Sequence, residues 1–293
     1  MATTAEWIAG ARPRTLSAAF APIAIGVGIA FGVGEFNAVR SALALIVAFA
    51  LQIGVNYSND YSDGIRGTDR VRVGPVRLVG QGLARPLAVC RVAFTFFGIA
   101  VVAGTLLVFL TAQWWLFAVG AACVAAAWFY TGGSRPYGYA GFGELFVFIF
   151  FGLIPVMGTV YVQTLQLSTA SLWAGVGVGA LSCSILIANN LRDIPSDTEH
   201  GKQTLAVRLG DPNTRRLFYA TVAVGFCAPA ITALLATPFT LLAFLALPFA
   251  IQPVRLIARG ALGPALIPVL KSTGILLFFY GFTFGLGFAL GHG

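Results

Sequence analysis

Charge is what this sequence has least of. Lys, Arg, Asp and Glu make up only 10% of its 293 residues, against about 25% in a soluble globular domain. Its hydrophobic share is 58% and its mean hydropathy +0.87, where soluble domains hold roughly 45–50% apolar residues. A soluble fold is excluded, and a polytopic membrane protein is expected. Cysteine is sparse as well: Cys90, Cys123, Cys183 and Cys227 lie in or beside apolar runs, without CxxC spacing. That argues against a thiolate metal site or a disulfide framework and leaves small buried hydrophobes. Short alternating segments of the membrane β-barrel type are missing too. No low-complexity linker or soluble stretch interrupts the chain, so one domain over 1–293 is expected. The polar start, 3–14, reads as amphipathic and lacks a small-residue cleavage site. No removable signal peptide is expected, and the first membrane helix would direct insertion.

Runs long enough to cross an apolar layer about 30 Å thick occur at 15–34, 38–59, 88–110, 114–130, 144–162, 172–191, 216–236, 239–257 and 268–290, nine in all. The expected fold is therefore all-α, a bundle of nine transmembrane helices. With the N-terminus cytoplasmic, each of the 18 Lys and Arg residues except Arg40 falls on the cytoplasmic face, as the positive-inside rule requires. This bias accounts for the net charge of +8. Membrane lipids with anionic head groups are the expected partners, and nucleic acid is not. Arg85, Arg91, Arg215, Arg216, Arg255 and Arg259 read as solvated helix-end residues. Lys271 reads as a snorkelling lysine and Glu144 as a helix N-terminal acid.

Two polar clusters break the apolar pattern, both on the cytoplasmic face. In the first, Asn56, Asn59, Asp60 and Asp63 stand at i, i+3, i+4 and i+7 and share one helix face. In the second, Asn189 and Asp193 repeat the spacing of Asn59 and Asp63, and Asp197 follows one turn on. Carboxylates crowded on one face repel unless a cation lies between them. Magnesium suits that place, binding through one or two carboxylates plus substrate phosphate. Beside the acids lie Arg66, Arg70, Arg72 and Arg77, and Arg192, Lys202 and Arg208, whose forks and ammonium match phosphate oxygens. Acids alone would suit a cation path, and bases alone an anion site. Both together at the mouth of an apolar bundle point to a magnesium-chelated phosphate ester with an oily tail. Metal and arginines would stabilise charge on a departing diphosphate, and apolar walls would keep water from the allylic cation left behind.

The motifs Asn59-Asp60-x-x-Asp63 with Gly67-Thr68-Asp69, and Asp193-x-x-x-Asp197-x-x-x-Gly201-Lys202, resemble the paired acid motifs of the UbiA superfamily of intramembrane prenyltransferases. Three further stretches are similar to its branch acting on 1,4-dihydroxy-2-naphthoate in menaquinone synthesis. They are 74–79, Tyr130-Thr131-Gly132-Gly133 with Pro136 and Gly138-Tyr139, and 201–210. The resemblance implies nine helices around a central cavity. It implies Mg2+-dependent transfer of a polyprenyl group from polyprenyl diphosphate to the ring carbon bearing the acceptor's carboxylate, with loss of CO2, giving demethylmenaquinone. It further implies that Asp60, Asp63, Asp193 and Asp197 are catalytic and, with Asp69, bind metal. Asn56, Asn59, Asn189, Arg66, Arg77 and Lys202 would meet the diphosphate, and Arg77 and Tyr130 the acceptor. Asp69 departs from hydroxybenzoate-type members in its spacing from Asp63, and Tyr130 is followed by Arg135 where those members carry lysine. The segment 64–85 is the expected lid. Two other readings stand beside this one: a related aromatic or haem prenyltransferase with another acceptor, and a cation transporter. A transporter would carry its key charges near the bilayer midplane, whereas these stand at helix ends.

Overall fold

The structure is a computed structural model that describes residues 2–67 and 76–291. Asp69, Arg70 and Arg72 lie outside the described residues. Among those described, all regular structure is helical: α1 (Thr4–Gly10), α2 (Ser17–Gly32), α3 (Ala38–Arg66), α4 (Pro86–Thr111), α5 (Leu116–Phe129), α6 (Gly143–Phe148), α7 (Ile154–Thr164), α8 (Thr169–Glu199), α9 (Leu205–Leu235), α10 (Leu247–Ala258) and α11 (Ile267–Leu290). A π-helical turn, Ile149–Leu153, joins α6 to α7, and 3-10 turns lead into α10 and α11.

Seven of these helical segments are long and apolar enough to cross a membrane, and α1 with α2 adds an eighth if that pair, bent by 48°, is one span. The difference from the expected nine lies at α5. Trp114 and Trp115 form a turn, leaving a helix of 14 residues, or about 21 Å at 1.5 Å per residue. The exposed indoles suit the membrane interface better than a helix interior.

Helix ends follow the local chemistry of the sequence. Asn37 caps α3, Ser168 and Ser171 form a reciprocal cap on α8, and Thr204 caps α9, each satisfying N–H groups that have no partner inside the helix. α8 is the most enclosed span, 72% buried. Around it Leu181, Ile187, Phe218, Tyr280 and Phe284 form the largest core. Tyr280 is fully buried yet satisfied, its hydroxyl donating to Gly225 O at 2.7 Å. α2 and α11 meet through glycine: a Cβ on Gly28 would stand 2.1 Å from Gly285 O, and one on Gly281 2.4 Å from Ala21 Cα. Small residues one turn apart let two membrane helices approach this closely.

Two arginines brace the ends of the bundle. Arg40, at the start of α3, donates to Val162 O at 3.0 Å, Gln163 O at 3.2 Å and Leu110 O at 3.1 Å. It thereby neutralises the carbonyl ends of α4 and α7. Arg215 corrects its expected role as a solvated residue. Its guanidinium holds Asp211 at 2.6 and 2.9 Å and also reaches Ile257 O at 2.7 Å and Ala261 O at 2.8 Å. That ties α9, just past its break at Gly210, to the end of α10. Glu144 does sit in the first turn of α6, but its carboxylate is buried and accepts from Asn190 at 2.9 Å.

Gly28→Leu is expected to destabilise the protein by at least about 1–3 kcal/mol, because overpacking here pushes against backbone. Thermal unfolding in detergent micelles measures it, and an unchanged melting temperature would contradict the close α2–α11 approach.

Candidate active site

Asp60 and Asp63 lie in the last two turns of α3, and Asp193 and Asp197 in the last two turns of α8. Both motifs therefore stand at helix ends rather than mid-span. Asp63 is buried, and its Oδ1 accepts from the Tyr139 hydroxyl and lies 3.5 Å from Lys202 Nζ. That contact joins the first motif to the second. The chain reaches it through a left-handed turn: Gly201 has φ +70°, and Lys202 N donates to Asp197 O at 2.8 Å. Glycine takes this conformation without steric penalty, so the glycine of Asp197-x-x-x-Gly201-Lys202 aims the lysine.

Tyr139 is the hub of this junction. Lys202 Nζ stands 4.4 Å and Arg66 Cζ 5.3 Å from its ring centroid, within cation–π range. Burial raises its phenol pKa well above the ordinary value, and Asp63's charge and hydrogen bond add to the shift. The hydroxyl stays protonated and remains a donor. Arg66 also donates to Thr131 O and Gly133 O, and Thr131 Oγ1 donates to Asn59 Oδ1 at 2.8 Å. The loop after α5 is thus fastened to the end of α3.

The remaining expected residues divide by what they touch. One cavity of about 1330 Å³ has Asn56, Asn59, Asp63, Arg77, Tyr130, Asn189, Asp197 and Lys202 in its wall. Asp60, Arg66 and Asp193 are not in that wall. Asp60 accepts from Leu78 N at 2.7 Å and Val79 N at 3.2 Å, so it holds the segment after α3 against the helix. Leu78 is fully buried there, and this far end of the expected lid is packed in place. Asp193 receives the fork of Arg192, Nε at 2.7 Å and Nη2 at 2.8 Å, and Nη2 also meets Asn189 Oδ1 at 2.8 Å. Asn56 donates to Ala11 O at 2.8 Å and Thr15 Oγ1 at 3.0 Å, anchoring the N-terminal arm while facing the cavity.

Away from this mouth the wall is apolar, from α2, α4, α5 and α7. The carboxylates of Asp63 and Asp197 and the amides of Asn59 and Asn189 line the same cavity and carry oxygens, the donor type a hard divalent cation takes. Among the described residues no three His, Cys, Asp or Glu side chains cluster closely enough to hold an ion alone. The set fits magnesium, which completes its shell with water and substrate phosphate. Sequence reasoning missed Tyr139 and Thr131 as members of the site, and Arg192, expected to match phosphate, instead grips Asp193. Tyr139 and Thr131 both stand in the 130–139 stretch that resembles the naphthoate branch.

The chain belongs to the UbiA prenyltransferase family, whose sequence profile matches residues 19–264. A Mycobacterium tuberculosis protein named 1,4-dihydroxy-2-naphthoate octaprenyltransferase is 50% identical over 292 residues, spanning 100% of this chain and 99% of that protein. An Escherichia coli protein of the same name is 37% identical over 286 residues, covering 92% and 90% of the two chains. Among solved structures, a UbiA homolog from Archaeoglobus fulgidus bound to GPP and Mg2+ shares the fold. Its TM-score is 0.68 at 14% identity, covering 94% of this chain and 98% of that one.

Tyr139→Phe removes a hydrogen bond to a charged group and is expected to lower stability by about 1.5–3 kcal/mol. Folding raises this phenol's pKa, so its contribution is full below the ordinary value near 10 and is lost as pH rises through the higher folded value. A double-mutant cycle with Lys202→Met, read by thermal unfolding, should show coupling of at least about 0.5 kcal/mol. Strict additivity would dissolve the hub.

Proposed function

We propose that this protein transfers a polyprenyl group from a polyprenyl diphosphate to 1,4-dihydroxy-2-naphthoate, with loss of CO2, giving demethylmenaquinone. The observation that carries this reading is the 3.5 Å contact of Lys202 with Asp63, which closes two acid motifs over the mouth of one apolar cavity. Full-length similarity to proteins named for this acceptor supports the choice of acceptor. The homolog that holds GPP and Mg2+ supports a diphosphate donor.

Asp63 and Asp197 would hold Mg2+ from the cavity wall, and Asp60 and Asp193, with Asp69, complete the acid set. Bound magnesium supplies charge neutralisation to the diphosphate oxygens. Lys202 and Arg77 bring positive charge to the same group from the cavity wall, Arg66 adds its charge from behind the wall, and Asn56, Asn59 and Asn189 add amide contacts. Lys202 and Arg77 are both buried, so their charges act through a medium of low dielectric and count for more than in water. The allylic C–O bond breaks heterolytically, and its electron pair leaves with the diphosphate. The apolar wall keeps water from the cation. The acceptor, set against Tyr130 and Arg77, attacks through the ring carbon bearing its carboxylate. The bond to that carboxylate then breaks, its electron pair returns to the ring, and CO2 departs.

On this reading the chain crosses the cell membrane nine times, the short α5 counted with α2 and its bent arm, α3, α4, α6 with α7, α8, α9, α10 and α11, and the mouth faces the cytoplasm. The N-terminus is cytoplasmic, and the whole chain forms one domain. The isolation of Arg40 at the end opposite the acid motifs supports this orientation. Anionic lipids would gather at the basic face.

Purified protein with Mg2+ and farnesyl or geranylgeranyl diphosphate, assayed against a panel of hydroxylated aromatic acids, should prenylate dihydroxynaphthoate and release CO2. Asp63→Asn and Asp197→Asn should each reduce kcat/KM by about 10²–10³-fold, as removal of one charge-stabilising group does. Unchanged transfer in both would end the metal assignment. For the topology, an impermeant thiol reagent on intact cells should label Glu35→Cys and spare Arg259→Cys in a cysteine-free background. The reverse pattern would invert the orientation.

A further inference from the structure

Glycines in the spans fall into two groups that the sequence does not separate. At Gly28, Gly152, Gly281 and Gly285 an added Cβ would lie under 3 Å from neighbouring atoms, the mark of tight helix packing. Gly104, Gly120 and Gly158 are different. A Cβ on Gly120 or Gly158 would meet nothing within 4 Å, and one on Gly104 only Val47 Cγ2 at 3.9 Å. None of the three has a positive φ, and each lies within a helix. There glycine weakens the helix relative to alanine. Neither packing nor backbone conformation explains them.

Their common feature is the cavity. All three are in its wall, contributed by three helices, α4, α5 and α7. Each stands within about two turns of the helix end opposite the acid motifs. Arg40 marks that end, holding the carbonyls of Leu110 and Val162. Val47, level with Gly104, precedes Asp63 by roughly four turns of α3, about 24 Å. The glycines thus border the part of the cavity farthest from the polar mouth, where side chains would otherwise fill the bore.

We propose that Gly104, Gly120 and Gly158 are the chain-length determinants of this protein, keeping the far bore open for the distal isoprene units of a long prenyl donor. The inference rests on the polyprenyl-donor reading above and deepens it. A short donor has its whole tail in the near part of the cavity, while a long one must pass the three glycines. Filling the bore therefore discriminates between donors by length, as a misfitting group in an apolar pocket does.

The test compares kcat/KM for geranyl, farnesyl, geranylgeranyl and octaprenyl diphosphate, with dihydroxynaphthoate and Mg2+, in the full-length protein. In Gly120→Phe and Gly158→Phe the ratio of octaprenyl to geranyl kcat/KM should fall by roughly 10–200-fold. A graded series, Gly120→Ala, Gly120→Leu and Gly120→Phe, should lower the ratio stepwise with side-chain volume. Gly98→Phe is the control: Gly98 is also mid-α4 with nothing near its Cβ, but it lines a separate groove with Leu43 and Ile46. Its donor ratio should match wild type. Equal losses for all donors, or a wild-type ratio in both Phe variants, would overturn the inference while leaving the donor reading intact. Wild-type protein inactive with every donor would remove the donor reading and this inference with it.

Discussion

The architecture depends on one buried contact, Lys202 against Asp63 beneath the Tyr139 hydroxyl. Burying a carboxylate and an ammonium is unfavourable unless each finds compensation. Here the compensation comes from three separate places in the chain: the end of α3, the turn after α8, and the loop after α5. Each is held by its own local device. Thr131 binds Asn59, Arg66 binds the carbonyls of that loop, and Lys202 N returns to Asp197 O. The contact can form only when all three are in place, so the mouth is assembled as a unit.

This design separates structural from chemical duties within a single motif. Asp60 and Asp63 are one turn apart, yet one fastens backbone N–H groups and the other faces the cavity. Asp193 and Asp197 divide similarly, the former gripped by Arg192. Deeply buried acids need partners, and the acids set back from the cavity take theirs from the protein. Those in the cavity wall stand where a ligand can reach them.

Much of this was legible in the sequence. Period and hydropathy locate the helices but overcount the full-length spans among the described residues by at least one. Of the residues that spacing singles out, Asn56, Asn59, Asp63, Asn189 and Asp197 share a cavity wall whereas Asp60 and Asp193 do not. Three things escaped, each for a physical reason. α5 is shorter than its apolar run because paired tryptophans turn the chain, which hydropathy does not register. Arg215 reads as a loop cation, and only the end of α10 brought beside it reveals its strut. Tyr139 is far in sequence from all three of its charged partners, Asp63, Arg66 and Lys202, and such a convergence is a property of the fold alone. Glycine composition likewise suggested packing and could not distinguish the empty-sided Gly120 from the crowded Gly28.

The charge asymmetry of the cavity bears on how a catalytic cycle would finish. Its cations crowd one end, and the remaining wall is mainly apolar and carries no charge. On the proposed reaction both anionic handles, the diphosphate and the carboxylate, are gone from the prenylated quinol. The cations at the mouth then hold it less strongly than they held the donor, and its prenyl tail favours the bilayer. Turnover is thereby given a direction, since each fresh donor carries the charge that its predecessor's product has shed.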